Sequence, residues 1–202
     1  MHRSNDFWFS DGNIVLQTED TQFRVHGGVL TRHSQVFKDV LDIPQPGRPS
    51  EPQVDGCPVV PLFDDTEDVQ AILSILYNNI NAYNVQGPVA ASMIVGMLRL
   101  GKKYGIHYMW KEGLRRLKAD YPTKVEDWQP ERRMIFGDPK VYQEKLINIA
   151  HELQLETVLP ALYLACVSGY TFVRIIFSKL IVRGLTNFHQ GWPRRRSSRN
   201  RL

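Results

Sequence analysis

The residues best suited to metal binding and acid–base catalysis are few and widely spaced. Zinc sites and proton transfer rely above all on histidine and cysteine, and the 202-residue chain has six histidines and two cysteines. They form no H-E-x-x-H or C-x-x-C motif, and the sequence has no G-x-S-x-G turn and no glycine-rich phosphate loop. We therefore predict no catalytic site, no metal site and no cofactor, and a protein that is not an enzyme. The residues concerned are His2, His26, His33, His107, His151, His189, Cys57 and Cys166.

Two local patterns imitate catalytic or phosphate-binding motifs. His26, Ser34 and Asp39 supply the side-chain types of a hydrolytic triad, but a triad is defined by geometry and not by nearness in sequence. Gly27-Gly28 follows a predicted strand, as in phosphate loops, yet neither the lysine nor the remaining glycines are present. The glycines therefore indicate a turn at which a helix begins.

An acidic run, Asp64-Asp65-Thr66-Glu67-Asp68, precedes an apolar helical pattern. Carboxylates bind Ca²⁺, but the run lacks the spacing of a calcium-binding loop. Acids and threonine are typical of helix N-caps and first turns, where they accept hydrogen bonds from free N–H groups and the acids interact favourably with the positive end of the helix dipole. Helix capping accounts for the whole run.

Charge is unevenly distributed along the chain. The net charge is +4, yet no acidic residue follows Glu156, and the segment after Val167 holds eight lysines and arginines. Without these eight, the chain has 17 Lys and Arg against 21 Asp and Glu, a net charge of −4. Residues 171–202 are predicted to form a basic, poorly ordered tail, because such a composition cannot bury itself. The basic pI therefore does not indicate a nucleic-acid-binding body.

The tail is densest in charge at Arg194, Arg195 and Arg196. Short basic runs serve as nuclear-import signals or contact nucleic acid and acidic membranes. Two plainer interpretations stay open, namely a solvated terminus and a gene sequence read in the wrong frame.

Neither end of the chain predicts membrane insertion or secretion. The apolar stretch Leu159–Val182 is interrupted by Arg174 and Lys179, whereas a bilayer span needs roughly 20 mostly apolar residues. The N-terminus has no apolar secretory segment. We expect a protein of the cytoplasm or nucleus.

The first part of the chain changes from a strand period to a helix period. Residues 13–17, with the apolar run Ile14-Val15-Leu16, predict a strand, and residues 22–26 alternate in polarity like a half-buried strand. The two strands are predicted to pair as a hairpin. From Val29 the apolar residues recur at three- and four-residue steps, with Ser34 placed to cap a second short helix. A proline-rich loop at 44–52 then leads to a strand at 58–63.

Helical periodicity dominates the remainder of the body. Four further stripes are predicted to face the core, and another helix is predicted at residues 157–167. The stripes are Val69, Ile72, Leu73 and Leu76; Val89, Met93, Met97, Leu100 and Tyr104; Ile106, Trp110, Leu114 and Leu117; and Leu146, Ile149, Ala150 and Leu153.

The motif Phe23-x-x-His26-x-x-x-Leu30-x-x-x-Ser34-x-x-Phe37 resembles the signature of the BTB/POZ domain, in which a strand runs into the first two helices. A second match runs from Leu62-Phe63-Asp64-Asp65 to Leu76-Tyr77, and Asp11 stands where that family usually carries an aspartate. The resemblance implies an α+β fold with a small mixed sheet flanked by helices. The chain up to about Tyr170 also resembles the short BTB proteins of mushroom-forming fungi. The signature residues are Asp11, Phe23, His26, Leu30, Ser34, Phe37, Leu76 and Tyr77.

This resemblance sets the predicted organisation of the chain. A BTB/POZ-like domain is expected at 7–121, a polar irregular linker at 122–137, a C-terminal helical extension at 138–170 and the basic tail at 171–202. Few residues precede the first predicted strand, so the N-terminal arm of some BTB domains is expected to be short or missing.

By resemblance the chain is a protein–protein interaction module that binds itself or another protein and has no small-molecule substrate. Closed twofold pairs are the commonest assemblies, and Val29 and Val36 are the candidate contacts for such a pair. Further candidates for exposed contact residues are Tyr83, Tyr108, Met109 and Trp128.

Two alternative roles stay open. BTB proteins also serve as substrate adaptors of cullin-based ubiquitin ligases, and cullin-binding members often carry a φ-x-Glu signature after the helix that ends in Leu-Tyr. Residues 79–83 occupy that place here and contain no Glu. The other alternative is a nuclear or regulatory protein that uses the basic tail.

Overall fold

A computed structural model describes residues 1–42, 52–77, 87–124, 127, 135–136 and 139–169. In these ranges seven α-helices flank a five-stranded mixed sheet, and two short strands form a second sheet. The predicted α+β fold is confirmed. The strands are β1 (His2–Trp8), β2 (Ile14–Gln17), β3 (Thr21–Val25), β4 (Gln53–Val54), β5 (Cys57–Pro61), β6 (Val89–Ala90) and β7 (Ile135–Phe136). The helices are α1 (Gly27–His33), α2 (Gln35–Asp42), α3 (Thr66–Tyr77), α4 (Ala91–Lys103), α5 (His107–Asp120), α6 (Pro139–Glu152) and α7 (Leu159–Gly169), with a 3₁₀ helix at Glu156–Val158.

The five-stranded sheet has the order β1-β3-β2-β5-β4. Strands β2 and β3 pair antiparallel, with Ile14 opposite Val25, so the predicted hairpin is confirmed. Strand β5 lies parallel to β2, with Val15 opposite Val59. The edges are β1, which runs parallel to β3, and β4, which runs antiparallel to β5.

Residues 2–8 form β1, a strand that the sequence did not predict ahead of the hairpin. Only Ser4 and Phe7 of this strand are fully buried, and its register with β3 shifts between Arg3 and Trp8. A strand with such an irregularity loses strict alternation. Polar residues on an edge strand therefore concealed it in the sequence.

A two-residue turn joins β4 to β5. Val54 pairs with Cys57, and the residues between them, Asp55 and Gly56, have φ of 49° and 75°. Positive φ at both positions is typical of a type I′ hairpin turn, for which Asp-Gly is a favoured sequence. The strand predicted at 58–63 accordingly begins one residue earlier and ends at Pro61.

The α3 stripe is confirmed, and α3 is buried more widely than predicted. All four of its predicted core residues are buried, and so are Ala71 and Ile75. Leu30 in α1 and Phe37 in α2 are buried as well. The hairpin, the first two helices and α3 therefore share one core.

The predicted stripes of α4 and α5 differ from the buried faces. Val89 lies in β6, and Met93 is half-buried. Eight of the thirteen α4 residues are buried, because this helix packs against α3, α5 and α6. In α5, Met109 is buried, whereas Trp110 and Leu114 are only half-buried.

The C-terminal helices continue the same core. Leu146, Ile149 and Ala150 of α6 are buried as predicted, and α6 packs on both α4 and α7. Inside the stretch predicted to be irregular, β7 pairs parallel with β6, and Ile135 N donates to Asp120 Oδ2 at 2.9 Å. One cluster of buried apolar side chains thus extends from Phe7 to Cys166.

Candidate functional site

Three signature residues, Asp11, His26 and Tyr77, meet where β3 passes into α1. Tyr77 Oη lies 2.8 Å from the backbone N of His26 and 3.0 Å from its Nδ1, and His26 Nε2 lies 3.2 Å from Asp11 Oδ2. The backbone N–H donates to the tyrosine oxygen, so the tyrosine hydroxyl is free to donate to Nδ1 and Nε2–H then faces Asp11. The Phe9 ring stacks on Tyr77 with centroids 4.7 Å apart. This cluster ties the hairpin to the end of α3.

At this junction the His26 ring bonds two other side chains. Its ring nitrogens contact Tyr77 and Asp11, while Asn13 Oδ1 accepts the Gly27 N–H at 2.8 Å. The hydrogen bond with His26 lowers the pKa of Asp11, and burial raises the pKa of the Tyr77 hydroxyl. A tyrosine held neutral in this way suits a structural role better than proton transfer.

Ser34 joins α2 to the end of α4. Its Oγ donates to Tyr104 O at 2.6 Å and accepts the Phe37 N–H at 3.0 Å, so the predicted cap of α2 is confirmed. The Phe37 ring stacks on Tyr104 with centroids 4.4 Å apart. Asp39 accepts a bond from Gln35. His26, Ser34 and Asp39 therefore have separate partners.

The other signature residues, Phe23, Leu30 and Leu76, are buried in the core. The signature thus describes contacts that hold the sheet against the helices.

The acidic run does more than cap α3. Asp65 Oδ1 accepts the Glu67 N–H at 2.9 Å, which confirms capping at that position. The Asp64 side chain is only 5% exposed, lies 2.6 Å from Lys103 Nζ and accepts the Tyr104 hydroxyl. The capping interpretation is therefore incomplete, because Asp64 binds α4.

A second link crosses three helices through Arg99. Its guanidinium pairs with Asp68 of α3 and, at 3.0 Å, with Glu152 of α6. Burial raises the pKa of Asp68, and the hydrogen bond from Arg99 acts in the opposite direction. The sequence carries a signal for both links, since acids four residues apart, Asp64 and Asp68, face cations four residues apart, Arg99 and Lys103.

Exposed apolar side chains mark three candidate interaction surfaces. On α2, Val36 and Val40 are 37% and 44% exposed. Phe63, between β5 and α3, is 95% exposed. On α7, Leu164 and Val167 are 42% and 45% exposed.

The predicted contact residues have mixed outcomes. Val36 is exposed and Val29 is half-buried. Met109 is buried, so its predicted exposure is wrong, and Tyr108 is half-buried with its hydroxyl 3.1 Å from His33 Nδ1. Other predicted contacts lie outside the described residues, namely Tyr83, Trp128, Arg194, Arg195, Arg196 and residues 79–83.

The described ranges hold no group of three or more His, Cys, Asp or Glu side chains suited to a metal ion. Within those same ranges, the helices are too short or too polar to cross a membrane.

No curated protein matches the chain. The family model of the BTB/POZ domain matches residues 3–120, more than half of the chain. This match begins at Arg3 inside β1 and ends at Asp120, the last residue of α5. The chain therefore belongs to the BTB/POZ domain family.

Proposed function

We propose that the chain associates with a second copy of itself through the face formed by α1 and α2. The BTB/POZ domain is a protein–protein interaction module, and the proposal concerns its partner and its surface. The likeness to the short BTB proteins of mushroom-forming fungi stays a prediction that rests on the sequence pattern.

The exposure of Val36 and Val40 carries the proposal. They lie four residues apart and therefore share one face of α2, while Phe37 alone of this helix is buried. Two exposed valines that the core does not use are available to a partner. Val29 is half-buried and lies on α1, the helix that packs against α2.

The charges around this face suit a twofold pair. Lys38, Asp39 and Asp42 on α2 and Arg32 on α1 are exposed. In a twofold interface the same patch meets itself, so a patch that carries both signs can place opposite charges together. A patch of one sign would repel its own copy.

The test is the molar mass of the full chain at tens of micromolar, measured by light scattering. We expect a dimer for the wild type and a monomer for Val36→Glu/Val40→Glu, because burying two carboxylates without partners is unfavourable. Leu164→Glu/Val167→Glu on α7 is the matched control, with two exposed apolar residues of similar exposure.

A monomeric wild type at that concentration would overturn the proposal. So would a dimer that survives the α2 substitutions and dissociates with the α7 pair. Circular dichroism of both variants checks that each is folded.

The cullin-adaptor role is the second proposal, supported by family membership and weakened by the missing Glu at residues 79–83. Co-purification of the tagged full chain with a cullin from native extract tests it. A nuclear role for the tail is tested by fusing residues 192–202 to a reporter, which should then accumulate in the nucleus.

A further inference from the structure

An open pocket of about 620 Å³ lies between the β2–β3 turn and the segment joining β5 to α3. Its two walls are tied together by hydrogen bonds. Leu62 N donates to Gln17 O at 2.7 Å, and Thr66 Oγ1 donates to Asp20 Oδ1 at 2.7 Å. The pocket is therefore built into the fold and does not depend on a chance side-chain position.

Phe63 supplies the most exposed apolar surface of this pocket. Its neighbour Leu62 is buried, whereas the Phe63 ring is 95% exposed. Aromatic side chains have the largest apolar area to gain from burial. A phenylalanine left in water beside a preformed pocket is suited to a partner that covers its ring.

The rim of the pocket is negatively charged. Glu19 and Asp65 line it, and Asp20 lies in the turn beside Glu19. Hydrogen bonds from Thr66 and Thr21 lower the pKa of Asp20, so this carboxylate is ionised at neutral pH. The ion pairs between described residues involve none of these three acids.

We propose that this pocket binds the chain's own basic segment, Trp192–Leu202. The segment has five arginines and no acid, and it begins with Trp192. A guanidinium forms paired hydrogen bonds with carboxylates and also packs flat on aromatic rings. A negative rim around an exposed phenylalanine ring matches both properties, and the tryptophan supplies apolar area to cover the ring.

The connecting chain is long enough for this contact. The described structure ends at Gly169, so 22 residues separate it from Trp192. Extended chain reaches about 3.3 Å per residue, or about 70 Å here. A domain of this size is only about 40 Å across. The segment can therefore reach the pocket of its own chain.

The experiment compares the wild-type full chain with a full chain in which Arg194, Arg195, Arg196, Arg199 and Arg201 are replaced by Gln. A fluorescent peptide of residues 192–202 is titrated into each and followed by anisotropy. We expect at least tenfold tighter peptide binding to the neutral-tail chain, because the attached tail occupies the pocket of the wild type. The affinity should fall with added salt.

Substitutions in the neutral-tail chain locate the binding site. Phe63→Ala should weaken peptide binding at least fivefold, and Glu19→Gln/Asp65→Asn should weaken it and reduce its salt dependence. Asparagine is as good an N-cap as aspartate, so the second variant keeps the start of α3. Controls are Leu164→Ala, an exposed apolar residue on α7, and Glu144→Gln/Glu156→Gln, two exposed acids away from the pocket.

Three results would overturn the proposal. One is equal peptide affinity for the wild-type and neutral-tail chains. Another is an unchanged peptide affinity in both pocket variants, which would mean that the peptide is attracted by the overall negative charge of the body and not by this pocket. The third is equal binding of a scrambled peptide of the same composition. The pocket contains no residue of α1 or α2, so these results are independent of self-association.

Discussion

Helices α2 and α4 represent opposite uses of apolar residues. Eight of the thirteen residues of α4 are buried, whereas α2 buries one of its eight. Helix α4 packs against α3, α5 and α6, while α2 packs mainly against α1. The apolar residues of α4 are therefore required by the fold, and the valines on the outer face of α2 are not.

The two helices meet at Tyr104, which follows α4 directly. Its ring stacks on Phe37, and its carbonyl accepts the Ser34 hydroxyl. The stacked Phe37 ring and the Ser34 hydroxyl hold the inner side of α2 to the core. These contacts do not involve the outer face of α2, where Val36 and Val40 are exposed.

The largest expected contrast is between core truncation in α4 and surface truncation in α2. Leu98 is fully buried, so Leu98→Ala should lower the free energy of unfolding by about 2–5 kcal/mol through lost burial and a cavity. Val40→Ala should change it by less than about 0.5 kcal/mol. Urea denaturation at low protein concentration, where association contributes least, measures both.

A loss of 2 kcal/mol or more in Val40→Ala under these conditions would show that α2 is required by the fold of the single chain. The exposure of Val36 and Val40 would then no longer indicate a surface that is available to a partner.

Glycine-to-alanine substitutions should have opposite signs in the buried and exposed helices. A Cβ at Gly96 would lie 2.9 Å from Ala71 Cβ and 3.1 Å from Asp68 O, because α3 and α4 approach closely there. We expect Gly96→Ala to destabilise by about 1–3 kcal/mol through overpacking. A Cβ at Gly28 in α1 meets nothing within 4 Å, so Gly28→Ala should stabilise by up to about 1 kcal/mol.

Thermal unfolding of the two variants side by side gives the sign of each change. A Gly96→Ala variant as stable as the wild type would mean that α3 and α4 can separate slightly without loss. The close contact between the helices would then not be a requirement of the fold.

Local signals were sufficient to predict several elements. The hairpin, the Ser34 cap and the α3 stripe follow from short-range periodicity and capping chemistry. The Asp55-Gly56 turn could also have been predicted from the sequence, since Asp-Gly between short strands favours a type I′ turn.

Other features depend on partners distant in sequence. The face of α4 could not be predicted from a stripe, because a helix covered on several sides has no single stripe. The role of His26 depends on Tyr77, 51 residues away. Phe63 looked like the end of a strand, and its exposure follows only from where β5 ends. Candidate surfaces are therefore harder to predict than the core, since they consist of residues that the fold leaves unused.

The smallest expected contrast is between the effects of removing the charge of Glu112 and of Asp39 on stability at different pH values. Glu112 of α5 accepts bonds from Arg115 and Arg116 at 2.7 Å, and the Arg116 side chain is only 1% exposed and also donates to Gly87 O ahead of β6. These bonds, from Arg115 first, lower the pKa of Glu112. Asp39 of α2 instead accepts a bond from the neutral amide of Gln35.

A carboxylate whose pKa is lower in the folded state stabilises the protein above the unfolded-state pKa and loses this effect as the pH falls through the folded-state pKa. Glu112→Gln should therefore cost about 1 kcal/mol at pH 7, and the difference from the wild type should shrink between about pH 5 and pH 3. Asp39→Asn should cost less than about 0.5 kcal/mol at pH 7. Urea midpoints of both variants at pH 7, 5, 4 and 3 measure these differences. The stability difference between Glu112→Gln and the wild type could instead stay constant down to pH 3. The charge of the Glu112 carboxylate would then not be what holds α5 to the segment ahead of β6.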